Sequence, residues 1–391
     1  MKKFLFFPVA ALAATISVAT LSSCSNDDDI AQGGLPSAQN EMKFTVTTSK
    51  SATRALPITS SNYLTQMKGF KVWANYSSSA TGTGVVPGAL YMGYSQKEGI
   101  SISGNGSGGW YYLSETDKYY WPATTAPLNF YAITPRKDDS IELVNNNLSE
   151  LPVEMAKVTV PTENNKQVDV MIASALNQTS ATNNKTVALQ FKHALSQIVF
   201  QGILSSDKIR VEIGGLTIKN IANAGVIGFK AGTQEIGVTA DKTNVADYSI
   251  GLSNQTMVSS TSRLSEFTAE DGALIIMPQT LTGWTTTSSV PVTTAQADSK
   301  KQTYLSISCK IKSGDTYLVG SSTAFGNVYV PFSASFLPGK KYVYTLIFGE
   351  NASSSGQSQG AFDANGNPIL QTIQFSANVQ DWSVISGNTP L

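Results

Sequence analysis

One histidine, His193, and two cysteines, Cys24 and Cys309, serve the whole 391-residue sequence. So few leave no His/Cys cluster for zinc and no disulfide framework. A Ser-His-Asp site needs His193 beside an activated nucleophile, and the chain carries no nucleophile elbow. No glycine-rich phosphate loop precedes a helix: Gly104-Asn105-Gly106-Ser107-Gly108-Gly109 leads into Trp110-Tyr111-Tyr112, which reads as a strand. Asp363-Ala364-Asn365-Gly366-Asn367 alternates oxygen donors as the first half of a calcium loop does. It lacks the distant bidentate Glu and reads better as a plain Asn/Gly turn. No catalytic residue, metal or cofactor is therefore expected. Excess charge is missing too, because 27 basic residues balance 27 acidic ones. A nucleic-acid partner needs a basic face, so none is expected. No sustained 3.6-residue amphipathic segment occurs, and the best helical candidate is short and polar, around Ser60 to Gln66.

What the sequence does hold suits strands and turns. Ser, Thr and Asn compete with the helix backbone, and only 14% of residues are charged. Short apolar runs recur between turn signals. Met42, Phe44 and Val46 alternate with polar residues, as do Phe70, Val72 and Ala74. Leu128 to Ile133 and Val168 to Ala173 are more continuous runs. Further candidates are Val187 to Phe200, Ile209 to Ile218, Ala273 to Met277, Tyr304 to Ile311, Tyr329 to Phe332, Tyr342 to Phe348 and Ile369 to Val379. This spacing predicts an all-β chain of sandwiches, and the length suggests two domains. Asn177 to Lys185 contains no large apolar residue, so the boundary is expected there, with 42–180 as one sandwich and 181–391 as the next. Cys309 lies in an alternating strand pattern. It reads as a small buried apolar residue, with a reactive thiol as the alternative. His193 reads as a hydrogen-bonded imidazole at the start of the second domain.

The first residues form an address. Lys2 and Lys3 precede an apolar stretch from Phe4 to Val18, which is shorter than the roughly 20 residues a membrane-spanning helix needs. Residues 1–23 read as a signal peptide. Leu21-Ser22-Ser23-Cys24 resembles a bacterial lipobox, in which the cysteine thiol is acylated and becomes the new N-terminus. Two or three acyl chains, at about 0.8 kcal/mol per buried methylene, hold a protein firmly on a membrane. Ser25-Asn26-Asp27-Asp28-Asp29 resembles the acidic export tag of surface lipoproteins, and residues 24–41 read as a lipidated acidic tether.

Three segments bear on assembly or binding. Arg54 is the only arginine in the first 135 residues, and the chain has four. It sits in a small, polar stretch, Ser49 to Ala55, as an accessible cleavage loop does; the alternative is one more solvated charge. The strand before it, with Phe44 and Val46 expected to be buried, alternates as a removable strand should. Near the other end, Ile373, Phe375, Ala377 and Val379 share one face, expected to point inward. That segment is a strand to donate to another subunit or the last strand of its own domain. The aromatic cluster Trp110, Tyr111, Tyr112, Tyr119, Tyr120 and Trp121 suits core packing, with a glycan platform as the alternative. Asp139-Ser140-Ile141 resembles a short O-glycosylation acceptor.

In order along the chain, Val72-Trp73-Ala74, Tyr119-Tyr120-Trp121-Pro122 and Leu128-Asn129-Phe130-Tyr131-Ala132 resemble the fimbrillin family of Bacteroides and Porphyromonas relatives. The likeness continues through Asp169-Val170-Met171, Phe191-Lys192-His193-Ala194-Leu195-Ser196 and Val379-Gln380-Asp381-Trp382. The resemblance implies two transthyretin-like, Greek-key β-sandwiches in tandem and a lipoprotein precursor on the outer membrane. It also implies removal of the first strand by an arginine-specific protease, here between Arg54 and Ala55. A strand from a neighbouring pilus subunit then fills the groove by β-strand addition. The implied place is the cell surface and the fimbrium, and any host or bacterial surface receptor stays open. A monomeric surface glycan-binding lipoprotein is the alternative function.

Overall fold

A computed structural model describes residues 40–48, 67–82, 84–93, 99–144, 154–181, 185–231, 233–257, 265–266, 273–285, 291–349, 361–369 and 373–381. Cys24, Arg54, Ala55, the signal peptide and the helical candidate at Ser60–Gln66 lie outside these residues. The strands run β1 (Lys43–Thr48), β2 (Gly69–Tyr76), β3 (Leu90–Met92), β4 (Ile100–Gly104), β5 (Trp110–Tyr112) and β6 (Leu128–Thr134). Next come β7 (Ile141–Leu143), β8 (Glu154–Thr159), β9 (Met171–Gln178), β10 (Thr186–His193), β11 (Ser196–Leu204) and β12 (Ile209–Ala222). Then follow β13 (Ala224–Phe229), β14 (Ile236–Ala240), β15 (Val245–Met257), β16 (Ser265–Glu266), β17 (Leu274–Ile276) and β18 (Thr280–Leu281). The last are β19 (Tyr304–Ser313), β20 (Thr316–Val319), β21 (Gly326–Pro331), β22 (Ala334–Ser335), β23 (Lys340–Phe348) and β24 (Ile373–Asp381). The one α-helix among the described residues, Thr294–Ser299, is short, and Thr293 and Gln296 close a capping box at its start.

The chain is all-β because its apolar residues recur at period two. In β10, Val187, Leu189 and Phe191 are buried while Ala188, Gln190 and Lys192 are exposed. An eight-stranded sheet runs β1-β10-β9-β6-β2-β4-β5, with β3 on β2. Phe70, Val72, Phe130, Leu189 and Phe191 line one of its faces. The sheet twists so far that its two outer strands, β1 and β5, come together over that core.

Beyond it, the sheet β16-β11-β23-β24, with β17 on β11, packs on the sheet β15-β12-β19-β20, with β21 on β19. Phe200, Tyr344 and Leu346 of the first meet Val211, Ile307 and Val330 of the second in one core. Tyr131, Ile133 and Ile172, on the back of the eight-stranded sheet, join this same core. A further sheet, β14-β13-β8-β7, pairs strands from both halves of the sequence.

The polar stretch Asn177 to Lys185 connects β9 to β10, which are antiparallel neighbours in one sheet. A strand connection faces water, and a polar composition suits it. The change of sheet comes at Ala194-Leu195, where both side chains are buried. Ala194 N donates to Val170 O at 2.8 Å, and Gly339 N donates to Leu195 O at 2.9 Å.

Candidate functional site

The candidate site is the first strand and its surroundings. β1 alternates Phe44 and Val46, both buried, with exposed Lys43, Thr45 and Thr47. Phe, Val and Thr all favour the extended backbone. The strand runs parallel to β10 in an unbroken register from Lys43↔Thr186 to Thr48↔Phe191. Met42, only 1% exposed, extends the buried row by one position. The Phe44 ring lies in edge contact with Phe70, Tyr112 and Phe130, with centroids at 6.0, 6.0 and 6.2 Å. Burying each such large side chain contributes about 1.5–3 kcal/mol.

On its other edge, among the described residues, β1 is held at its start. Met42 N donates to Tyr119 O and Trp121 N donates to Asn40 O, both at 2.9 Å. Lys185 Nζ reaches Asn40 Oδ1 at 3.0 Å, and Trp121 Nε1 donates to Lys185 O at 3.0 Å. Lys118 adds a 3.5 Å ion pair to Glu41. From Lys43 onward this edge faces β5 with no ladder between them, among the described residues. A cleft of about 280 Å3 opens along the seam, lined by Glu41 to Thr45, Gly108 to Tyr112 and Thr186.

The aromatic cluster divides by depth. Tyr112 and Trp121 are buried, and Trp110 packs on Phe70 at 5.4 Å. Tyr119 meets Tyr91 edge-on, while Tyr111 stands 51% exposed at the rim of the seam. Burial pushes the Tyr112 phenol well above its usual range.

β24 is the outer strand of its sheet, antiparallel to β23 through nine consecutive pairs, with Lys340 and Asp381 paired at one end. The expected inward face holds only in part. Ile373 is buried, but Ala377 is exposed and Val379 is 55% exposed; the Phe375 side chain lies outside the described residues. Tyr342 and Tyr344, their partners on β23, are covered by Phe336 and Phe332 at 4.8 and 4.9 Å. That cover stops at β23, and the second half of the outermost strand runs past it.

The remaining sequence candidates take structural places. His193 Nδ1 lies 2.9 Å from Asp169 Oδ2, and both residues are buried just before the change of sheet. Asp169 was not legible as its partner, since the two stand 24 residues apart. Cys309 is buried, and burial pushes its thiol up to about 12. In the Asp363 turn the carboxylate oxygens already accept from Asn365 N, Asn367 N and Asn367 Nδ2, at 2.8–2.9 Å. These bonds hold its carboxyl below the usual range. Ser140, half-buried, is hydrogen-bonded to Asp138. Among the described residues no three His, Cys, Asp or Glu groups gather to hold a metal.

The chain is similar to solved structures at low identity, and the first of these shares its fold. A fimbrial protein from Bacteroides vulgatus ATCC 8482 is 16% identical with a TM-score of 0.54, over 88% of this chain and 100% of that one. A candidate cell adhesion protein from Bacteroides uniformis ATCC 8492 is 12% identical with a TM-score of 0.43, over 88% and 99%. A fimbrial assembly protein from Parabacteroides distasonis ATCC 8503 is 8% identical with a TM-score of 0.36, over 87% and 98%. No curated protein matches the chain. The family model for fimbrillin-like proteins matches residues 53–382, and the chain belongs to that family.

Proposed function

We propose that this chain is a structural or adhesive subunit of a surface pilus, assembled by strand exchange. It is made as a lipoprotein precursor, with acylated Cys24 holding it on the outer membrane. An arginine-specific protease cuts between Arg54 and Ala55 and frees β1. A strand from another pilus subunit takes the vacated place beside β10. The observation that carries this reading is the position of β1. It is a six-residue edge strand with a single ladder, yet Met42, Phe44 and Val46 fill the core. Its departure leaves an open sheet edge and an apolar furrow, which water tolerates poorly. The continuous ladder between β23 and β24 supports keeping β24 as the last strand of its own sheet. A chain that accepts a strand and donates none fits the tip of a pilus. A wide glycan platform draws less support, because Tyr112 and Trp121 are committed to the core. The test is to treat the Cys24→Ala precursor with an arginine-specific protease in the presence of partner subunits and follow its mass. Cleavage should permit assembly and Arg54→Ala should block it. Normal pilus incorporation of Arg54→Ala would sink the cleavage step.

A further inference from the structure

We infer that β1 leaves by displacement through the seam beside it, and that the seam is the landing surface for the incoming strand. The inference rests on the strand-exchange reading above and adds the route. A cut beyond Thr48 removes none of the contacts described for β1. The ladder to β10, the buried Met42, Phe44 and Val46 and the clasp of Asn40–Met42 on Tyr119–Trp121 all persist. Unaided departure must break all of these before anything replaces them, which makes it slow.

The seam offers a path that avoids that state. β1 from Lys43 onward and the outer edge of β5 both present strand backbone without a ladder partner, among the described residues. Phe44 and Tyr112 are among the residues that line the cleft between them, and their rings lie in edge contact at 6.0 Å. A side chain entering the cleft therefore meets the rings that hold Phe44 in place. Gly108 and Gly109 line one side with no side chain of their own, and Lys43 and Thr45 flank the other.

The occupant this surface fits is an extended segment of a second subunit with an apolar residue at every second position. Only an extended backbone offers N–H and C=O groups to two sheet edges while directing alternate side chains inward. A sugar or other small ligand satisfies the polar edges but has nothing to put where Phe44 sits. Entry beside Phe44 lets the new strand gain its contacts as β1 gives up the same ones.

The test uses the full Cys24→Ala chain with a specific protease site in place of residues 49–54. The probe is a fluorescent peptide of the Glu41–Thr48 sequence, and its uptake after cleavage is followed by anisotropy. Displacement predicts a rate that rises in proportion to peptide concentration over about a hundredfold range. A Thr45→Trp chain, whose new side chain plugs the cleft from the exposed side of β1, should take up peptide about tenfold more slowly. That is about 1.4 kcal/mol of barrier. Its thermal midpoint before cleavage should stay unchanged. A peptide carrying Phe44→Asp should not enter, which separates the slot from adhesion to the outer edge. A rate that ignores peptide concentration, or one untouched by Thr45→Trp, overturns displacement and leaves strand exchange standing. No uptake at any concentration removes both.

Discussion

β1 and β11 are built to the same plan and end in opposite positions. Each opens its part of the fold, and each runs parallel to a strand much later in sequence, β10 for the first and β23 for the second. β11 is flanked on its other side by β16 and β17, so ladders hold it on both edges. Among the described residues, β1 has a ladder to β10 and the clasp at its start. A strand with a ladder on one side can be lifted out without separating its neighbours, whereas a central strand cannot. The lesson is that alternation and burial are common to both strands, and position in the sheet separates them.

The sharpest test of this contrast substitutes the central aromatic of each strand. Phe200→Ala should cost about 3–5 kcal/mol in urea unfolding of the intact chain. Phe44→Ala should fall at or below the low end, because the seam lets water and neighbours relax around it. Equal losses would break the comparison.

The junction between the two strands comes next. His193→Gln replaces the imidazole that lies 2.9 Å from buried Asp169 and should cost about 2 kcal/mol. Because the pair sits just before the change of sheet, both parts should unfold earlier by circular dichroism. A loss confined to one part would mean that the two strands are less coupled than the shared core suggests.

A smaller effect is expected at the clasp. Trp121→Phe removes one hydrogen bond to Lys185 O and should cost about 1 kcal/mol. Hydrogen exchange is the more telling readout. Amides of Lys43–Thr48 should exchange by local opening, faster still in Trp121→Phe, while those of Ile198–Leu204 should exchange only on global unfolding. Identical protection in β1 and β11 would refute the edge argument.

The smallest effects are expected at two controls. Val379→Lys should change stability by no more than about 0.5 kcal/mol, since the position is exposed on β24. Cys309 should resist a thiol reagent at neutral pH until the chain unfolds, because burial keeps it protonated. The sign with pH follows from the raised value. The unfolded thiol ionises near 9 and the folded one near 12, so the stability it contributes is present below 9 and lost as pH rises towards 12.

The sequence by itself determined that the chain is all-β, since period-two alternation in β1, β10 and β19 leaves no helical alternative of any length. It also marked Phe44 and Val46 as inward and Lys43 and Thr45 as outward, because alternation is local and the strand is short. Family membership was legible in ordered aromatic motifs. Only the tertiary structure decided which strand lies at an edge, because β1 meets β10 across more than 130 residues of intervening chain. The polar stretch at 177–185 shows the same limit: a strand connection and a domain linker have the same composition, and the β9–β10 pairing is not visible in it. Asp169 and His193 met for reasons no spacing rule carries. Val379 came out exposed because the cover over β23 ends one strand short of it. Periodicity reports which face of a strand is apolar; where that strand stands in a sheet depends on partners distant in sequence.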